Sequence, residues 1–584
     1  MRARHLGYLA SAIATLLLFG QATAWVADGI RLCSDPPRQS APVVVSTGVG
    51  GAFVAFITAN IPVCQYLTPD GSTFPPSLAC GDTLVFTDTF TSYSTSNPRG
   101  APDGSGGAII GFQHSRNGSS VDIYAQAVDG LGRPLWGDVG VPVCLASGDQ
   151  AFATQTYGAM APDGLGGCYV VWEDPRLPSN GYDVYMQHLT RTGGLAPHWP
   201  ANGLRLTNQA GDQRQPSVVS DDAGGAIVVW QSEVSGEIHI YASRVIAGDT
   251  LLAMGWAANG NVVCDTAGNQ VRPVLTKDGG GGAIFAWADD RGADIYAQHL
   301  LSDGSRDVRW VANGVRLTSI NSAEINPEIA PDDTGGAIVV WTDNRTLATK
   351  PDVYAQHIVS SGVLAGGWPV DGLPISTAAL DQSEPHSISD GSGGVITCWH
   401  DKRNGTDVDI YAQRVTAGGV ALWDPDGRAV CTAGGNQQQL AVAPDAYGGA
   451  VMAWQDFRPS TMQVFASVFA QRIGHGGELG TTVSVGGRPA AGAVAMLASP
   501  NPAREATTIV VTGVHLAMNL IICDVEGRAV RNLAARSHMN GERQEVAWDL
   551  RDESGRRVSP GLYWIRARTS EGSTPARGAL IVLH

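Results

Sequence analysis

The chain has 584 residues, among them 73 glycines; 7% of residues are aromatic, 16% charged, and the net charge is −16 at neutral pH. That length exceeds one ordinary hydrophobic core and the composition is apolar and turn-rich, which excludes both a small single domain and a disordered chain. The negative balance excludes nucleic acid or an anionic membrane as the main partner, and the only lysines, Lys277, Lys350 and Lys402, form no basic patch.

Residues 1–24 read as a secretory signal. Arg2 and Arg4 supply the positive end, Leu9–Gly20 the apolar region, and Ala22-Thr23-Ala24 the small residues of a cleavage site. The apolar run falls short of a full span, and no other stretch is long and apolar enough to cross a bilayer. The mature chain is therefore expected to be exported, extracellular or attached to the cell surface, and monomeric.

Residues 25–484 repeat. A Gly-Gly pair recurs at Gly50, Gly106, Gly166, Gly224, Gly281, Gly335, Gly393 and Gly448, spaced 54 to 60 residues apart. Each unit reads as four short strands. The first is a Pro-x-Val/Ile run such as Pro216–Ser220, turned by Asp and Gly-Gly into a nearly continuous apolar run ending in Trp, such as Ala226–Trp230. The third carries Tyr-Ala-Gln, as at Asp352–Ile358, and the fourth follows an Asn-Gly turn, as at Asn313–Thr318. Repetition at this period predicts an all-β propeller. The mature N-terminus, WVADGIRLCSDPPRQ at Trp25–Gln39, matches the end of a repeat, WVANGVRLTSINSAE at Trp310–Glu324, while the last repeat, Gln437–Ile473, lacks a fourth strand. The N-terminal segment is therefore expected to close the ring. Eight blades are predicted, or seven if the eroded first unit, Pro42–Asp88, is an insertion.

Nine cysteines in an exported chain invite a disulfide reading. Cys33, Cys144, Cys264 and Cys431 share one repeat position on separate blades, too far apart to bond, and read as small strand residues. Cys64 and Cys80 lie together in the irregular first unit and are the pair expected to form a disulfide.

Five blades carry Asp-x-Arg after the Trp: Asp174/Arg176, Asp289/Arg291, Asp343/Arg345, Asp401/Arg403 and Asp456/Arg458. With Gln213, Gln270, Gln382 and Gln437 from the adjoining loops they should form a polar ring on one face. Such a ring either binds hydroxyl-rich or anionic ligands through Arg forks, or pairs internally and fixes the turns. Its recurrence in blade after blade favours the second reading, because a binding site is rarely repeated in every unit. His188, His299 and His357 share one position on separate blades and cannot converge on a metal. No cofactor is expected. Calcium is the one candidate ion, at the Asp221-Asp222 and Asp332-Asp333 turns, although no spaced Asp-x-Asp-x-Asp loop is present. Catalysis, if any, should sit where a blade departs from the rule: Glu384, His386 and His400 supply acid and base types there.

A Gly/Ala-rich linker over 485–498 leads to a module at 499–584, whose short strands and Gly-Arg and Asp-x-Ser-Gly turns read as a small antiparallel sandwich. Pro500-Asn501-Pro502, Asp524 with Gly527-Arg528, Leu533, Trp548-Asp549, Asp552, Gly555, and Gly561 with Tyr563 carry a resemblance. In these residues the segment resembles the immunoglobulin-like domain of flagellar hook-capping proteins and the C-terminal sorting domains of type IX secretion cargo. It departs from sorted cargo in ending GALIVLH, without a basic residue near the terminus. The resemblance implies a sorting or attachment module. The expected function is a non-catalytic binding or display scaffold for a surface glycan or protein. A polysaccharide lyase or glycosidase, and a structural envelope component, are the alternatives.

Overall fold

The structure is a computed structural model. It describes residues 25–480 apart from 34–37, 49, 70, 75–94, 116–119, 131, 154–157, 248–251, 321, 346–349 and 459–465, and thereafter the strands between 495 and 582 with parts of their turns, including 543–559. The chain divides into two compact units, Met1–Thr482 and Val483–His584. The expected signal at 1–24 lies outside the described residues.

The first unit is an eight-bladed β-propeller of four-stranded antiparallel sheets. In each blade the innermost strand comes first, and successive innermost strands touch around the ring; Gln39–Ser46 of blade 1 meets Gln437–Pro444 of blade 8. Blade 8 takes its outer strand from the N-terminus, with Ile30 opposite Ala470 and Arg31 opposite Phe469. The irregular first unit is a complete blade, so the count is eight.

Burial explains why the second strand is apolar at nearly every position. Ala337–Asp343 is buried at all seven positions, because one face packs on the preceding blade and the other on the next. Trp341 packs on Ile284 and Ala286 of blade 5, and Trp399 on Ile338 and Val340 of blade 6.

Two devices hold the turns. The first is the Asp before the Gly-Gly of blades 2 to 8, where blade 1 has Thr47. Asp332 Oδ1 accepts the backbone N–H groups of Thr334 and Gly336, both at 2.8 Å, while Oδ2 meets His357 Nε2 at 2.9 Å. His188 and His299 pair with Asp163 and Asp278 in the same way, and Arg244, Arg414 and Arg472 take the histidine's place in other blades. The carboxylates expected for calcium are thus engaged in capping and ion pairing, and among the described residues no group of three or more His, Cys, Asp or Glu is arranged to hold a metal. The second device joins blades. In some blades the residue before the glycine of the outer turn adopts a left-handed backbone and caps the preceding blade: Asn202 (φ +66°) accepts Leu145 N–H at 2.8 Å, and Asp426 (φ +56°) accepts Thr377 N–H at 2.9 Å. Asn and Asp tolerate that conformation best among non-glycine residues.

The disulfide expectation is corrected. Cys64 is a free, fully buried thiol at the centre of strand Ile61–Leu67, packed with Val43, Phe53 and Tyr124 between blades 1 and 2. Among the described residues Cys33 is instead the disulfide-bonded cysteine, and Cys80 lies outside them. Cys144, Cys264 and Cys431 remain free, as their spacing around the ring requires.

The second unit contains two four-stranded antiparallel sheets. Thr507–Thr512 lies beside Arg543–Trp548 in one, and Asn519–Cys523 beside Gly561–Arg568 in the other. Trp548 is fully buried and meets Tyr563 edge to face, ring centroids 5.8 Å apart. Among the described residues no helix is long and apolar enough to cross a membrane.

Candidate functional site

The Asp-x-Arg motif forms an internal staple in every blade that carries it. In blade 6, Asp343 Oδ2 accepts Trp341 Nε1–H at 2.9 Å, and its two oxygens accept Arg345 Nε and Nη2 at 2.8 and 2.6 Å. Nη2 also donates to the carbonyl of Asp371 in the outer turn, at 2.7 Å, and the guanidinium stacks 3.7 Å from the Tyr354 ring centre. Asp174/Arg176, Asp289/Arg291, Asp401/Arg403 and Asp456/Arg458 repeat the arrangement, with Phe469 replacing the Tyr in blade 8. Each Asp is at most 2% exposed, so the forks aim inward at buried partners. The glutamines placed on the same rim are buried as well: Gln213, Gln270, Gln382 and Gln437 donate to carbonyls of their own loops.

Glutamate replaces that glutamine in blade 6. Glu324 is 2% exposed, accepts Ser322 Oγ–H at 2.7 Å through Oε1, and has no partner at Oε2. Burial, with Asp343 and Asp294 nearby, pushes its carboxyl up to about 8. A carboxyl raised in the folded state contributes stability that is full below its unfolded value, near 4.5, and lost as the pH climbs through about 8. Glu324→Gln, which restores the donor used by the other blades, should raise stability at pH 8–9 by about 1–3 kcal/mol and leave it unchanged at pH 4. Urea denaturation at the two pH values measures the difference.

The inner strands share one irregularity. Seven described blades have a β-bulge here, with a non-glycine residue at positive φ: Ala41, Asn97, Gln215, Arg272, Asn326, Glu384 and Gln439, all between +49° and +57°. Bulges re-aim side chains. Together the bulges form a collar on the innermost strands beside the Asp-x-Arg face, since the first residue of the inner strand pairs with the motif Asp, as Gln382 does with Asp401. The collar is not uniform. Its charged members, Arg272 and Glu384, come from blades 5 and 7 and flank Asn326 of blade 6.

All three residues singled out for acid–base chemistry meet in this sector. Glu384 Oε2 lies 3.0 Å from His400 Nδ1, and the His386 charge state is coupled to both. The structure adds Glu328 of blade 6, whose Oε1 is 3.8 Å from His386 Nδ1. Glu328 holds the repeat position of His386, each directly following the proline after the bulge, and that equivalence was the signal that could have singled it out in the sequence. Burial pushes the Glu328 carboxyl up to about 8 and drives His386 down to about 4. Although the distance admits an ion pair, these directions make the two a neutral acid beside a neutral imidazole. Glu384 differs: the hydrogen bond from His400 outweighs burial and keeps it below the ordinary carboxylate range. Its side chain is 63% exposed, that of Glu328 27%, and that of His400 9%. His400 Nε2 is buried without a partner.

At the opposite ends of the inner strands the character changes. Met160, Pro162, Val218, Val219, Thr276 and Pro331 of blades 3 to 6 line a mainly apolar cavity of about 510 Å³.

No protein family matches the chain, and no curated protein matches it. Among solved structures, puromycin hydrolase is 14–15% identical with a TM-score of 0.39; the match covers 74% of this chain and 62% of the hydrolase, so the chain spans less than two thirds of that protein. PorZ, a surface component of the type IX secretion system of Porphyromonas gingivalis, is 12% identical, covering 93% of this chain and 75% of PorZ, with a TM-score of 0.28. The polysaccharide lyase Uly1 is 8% identical, covering 63% and 88%, with a TM-score of 0.38. At these identities and scores none transfers an activity to this chain.

Proposed function

We propose that the protein is an exported propeller that binds a hydroxyl-rich glycan at the collar-side mouth of its axial channel, in the sector of blades 5 to 7. The observation that carries this reading is the asymmetry of the collar. The bulge fixes each side chain on a rigid inner strand, and among the described bulge residues only here do a guanidinium, an amide and a carboxylate stand side by side. Amides and charged forks of this kind recognise sugar hydroxyls by hydrogen bonds whose geometry the scaffold sets. The Asp-x-Arg staples lie behind it as support. Export is supported by the signal-like pattern of residues 1–24 and by the disulfide at Cys33, since disulfides persist in oxidising compartments. The C-terminal unit, by its resemblance, is read as an immunoglobulin-like attachment or sorting module.

Affinity electrophoresis in gels carrying arabinan, xylan, homogalacturonan or chitosan tests the binding. The double substitution Arg272→Ala/Asn326→Ala should weaken retention at least about tenfold, the loss of two or more hydrogen bonds, one of them charged. Its melting temperature should stay within about 2 °C of the parent, because both side chains are partly exposed. Equal retention of parent and variant in every gel overturns the proposed seat.

A further inference from the structure

We infer that the Glu328 and Glu384 carboxyls are a general acid and a general base for hydrolysis of a glycosidic bond held across the inner strands of blades 6 and 7. The inference rests on the glycan-binding reading above and extends it from binding to chemistry.

The geometry is the first support. Both carboxyls belong to innermost strands of adjacent blades, so a chain entering the channel mouth meets both. Glu328 lies 3.8 Å from His386 and Glu384 3.0 Å from His400, and the charges of Glu384 and His400 both act on His386. The Glu384 side chain is 63% exposed and that of Glu328 27%, whereas His400 is covered. A covered imidazole cannot touch a substrate, so His400 is a positioning residue: it donates Nδ1–H to Glu384 and holds that carboxylate in one place. Glu384 also sits on a left-handed bulge at φ +51°, a constrained backbone position for a side chain that must hold its aim.

The environments of the two carboxyls are the second support. Burial pushes the Glu328 carboxyl up to about 8, while the His400 hydrogen bond holds Glu384 below the ordinary carboxylate range. Two carboxyls driven apart in this way take opposite proton-transfer roles. Neutral His386 lies beside the acid and adds no charge that would ionise it.

The step balances without a further reactant. Glu384 takes a proton from water as the water oxygen bonds to the anomeric carbon. The bond from that carbon to the glycosidic oxygen breaks, and Glu328 gives its proton to the departing oxygen. One water is consumed and one reducing end appears. Glu384 then returns its proton to solvent and Glu328 regains one, completing the cycle with no change of oxidation state.

The full mature chain is incubated with arabinan, xylan, homogalacturonan and chitosan, and new reducing ends are counted. The expected result is shortening of at least one polymer with one new reducing end per cut and oxygen-18 from labelled water in that end. Glu328→Gln and Glu384→Gln should each lower the rate at least a hundredfold while the variants still migrate slowly in the gel carrying that polymer. His400→Gln, which keeps a donor for Glu384, should retain more activity than His400→Ala, and Glu384→Gln should show no such dependence on residue 400. Retention of a polymer with no new reducing ends overturns the inference and leaves the binding reading standing. Failure of both retention and cleavage overturns the two together. Products with an unsaturated sugar end, absorbing near 232 nm, would replace hydrolysis by elimination and also overturn it.

Discussion

Asp343→Ala should destabilise the propeller by about 3–5 kcal/mol, the cost of removing one partner from a buried ion pair. Asp343 is fully buried and its carboxylate serves the Trp341 indole N–H, the Arg345 backbone N–H and two guanidinium nitrogens. Without it, a guanidinium only 13% exposed keeps its charge and loses its counterion, and a buried indole N–H loses its acceptor. Asp343→Asn retains one acceptor and should cost less, about 1–3 kcal/mol. Arg345→Ala should fall in that lower range too, since the carboxylate it abandons still holds the indole and the backbone. Urea denaturation followed by tryptophan fluorescence resolves these differences. A ligand-binding role for the staple makes the opposite prediction: unchanged stability with weakened glycan retention. That outcome, found for Arg345→Ala and Arg291→Ala alike, would falsify the structural assignment.

Removing residues 25–33 should have a comparable or larger effect, because this short segment touches three blades. Ile30 and Arg31 form the outer strand of blade 8, and Leu32 N–H continues the ladder to Val468 O at 3.0 Å. Asp28 accepts Thr432 N–H of blade 7 at 2.8 Å, and its carbonyl accepts Arg458 Nη2 of blade 8 at 2.7 Å. Trp25 donates Nε1–H to Pro69 O of blade 1 at 3.2 Å. Burial of Trp25, Ile30 and Leu32 contributes about 1.5–3 kcal/mol for each side chain, a large share of a typical domain stability of about 5–15 kcal/mol. The truncation also exposes Ser467–Ile473 as an unpaired edge, which favours association with other chains. Amide hydrogen exchange should therefore accelerate through Ser467–Ile473 and spread into blade 8, and size-exclusion chromatography should show aggregates. A truncated protein that stays monomeric and protects those amides as the parent does would contradict closure by this segment.

How far the candidate site was legible in the sequence follows from the same physics. Glu384, His386 and His400 stood out because they break a repeat, and the fold brings them together. Glu328 escaped notice because a lone glutamate on a strand reads as an ordinary exposed residue; its meaning depends on His386 of the next blade, 58 positions away in the chain. The glutamines were misplaced for a related reason. Their position on a loop-proximal strand end predicted a solvent rim, but the bulge that follows turns the strand and leaves the amide buried against its own loop. The Cys64 expectation weighed proximity in sequence, whereas its strand points the thiol into the contact between blades 1 and 2.

By itself the sequence determined the architecture. A repeated pattern of strand and turn residues fixes local structure eight times over, and the displaced fourth strand, Ile30–Arg31, is legible as the clasp because its surrounding sequence matches the end of a repeat. Only the tertiary structure decided which polar residues are spent and which are available. Spacing alone is neutral on that point. An Asp two residues before an Arg, as Asp343 stands before Arg345, is equally a rim or a staple until the Trp indole, the Tyr ring and the outer-turn carbonyl are seen around it. Burial and charge state depend on neighbours brought together by ring closure, and those neighbours lie on other blades.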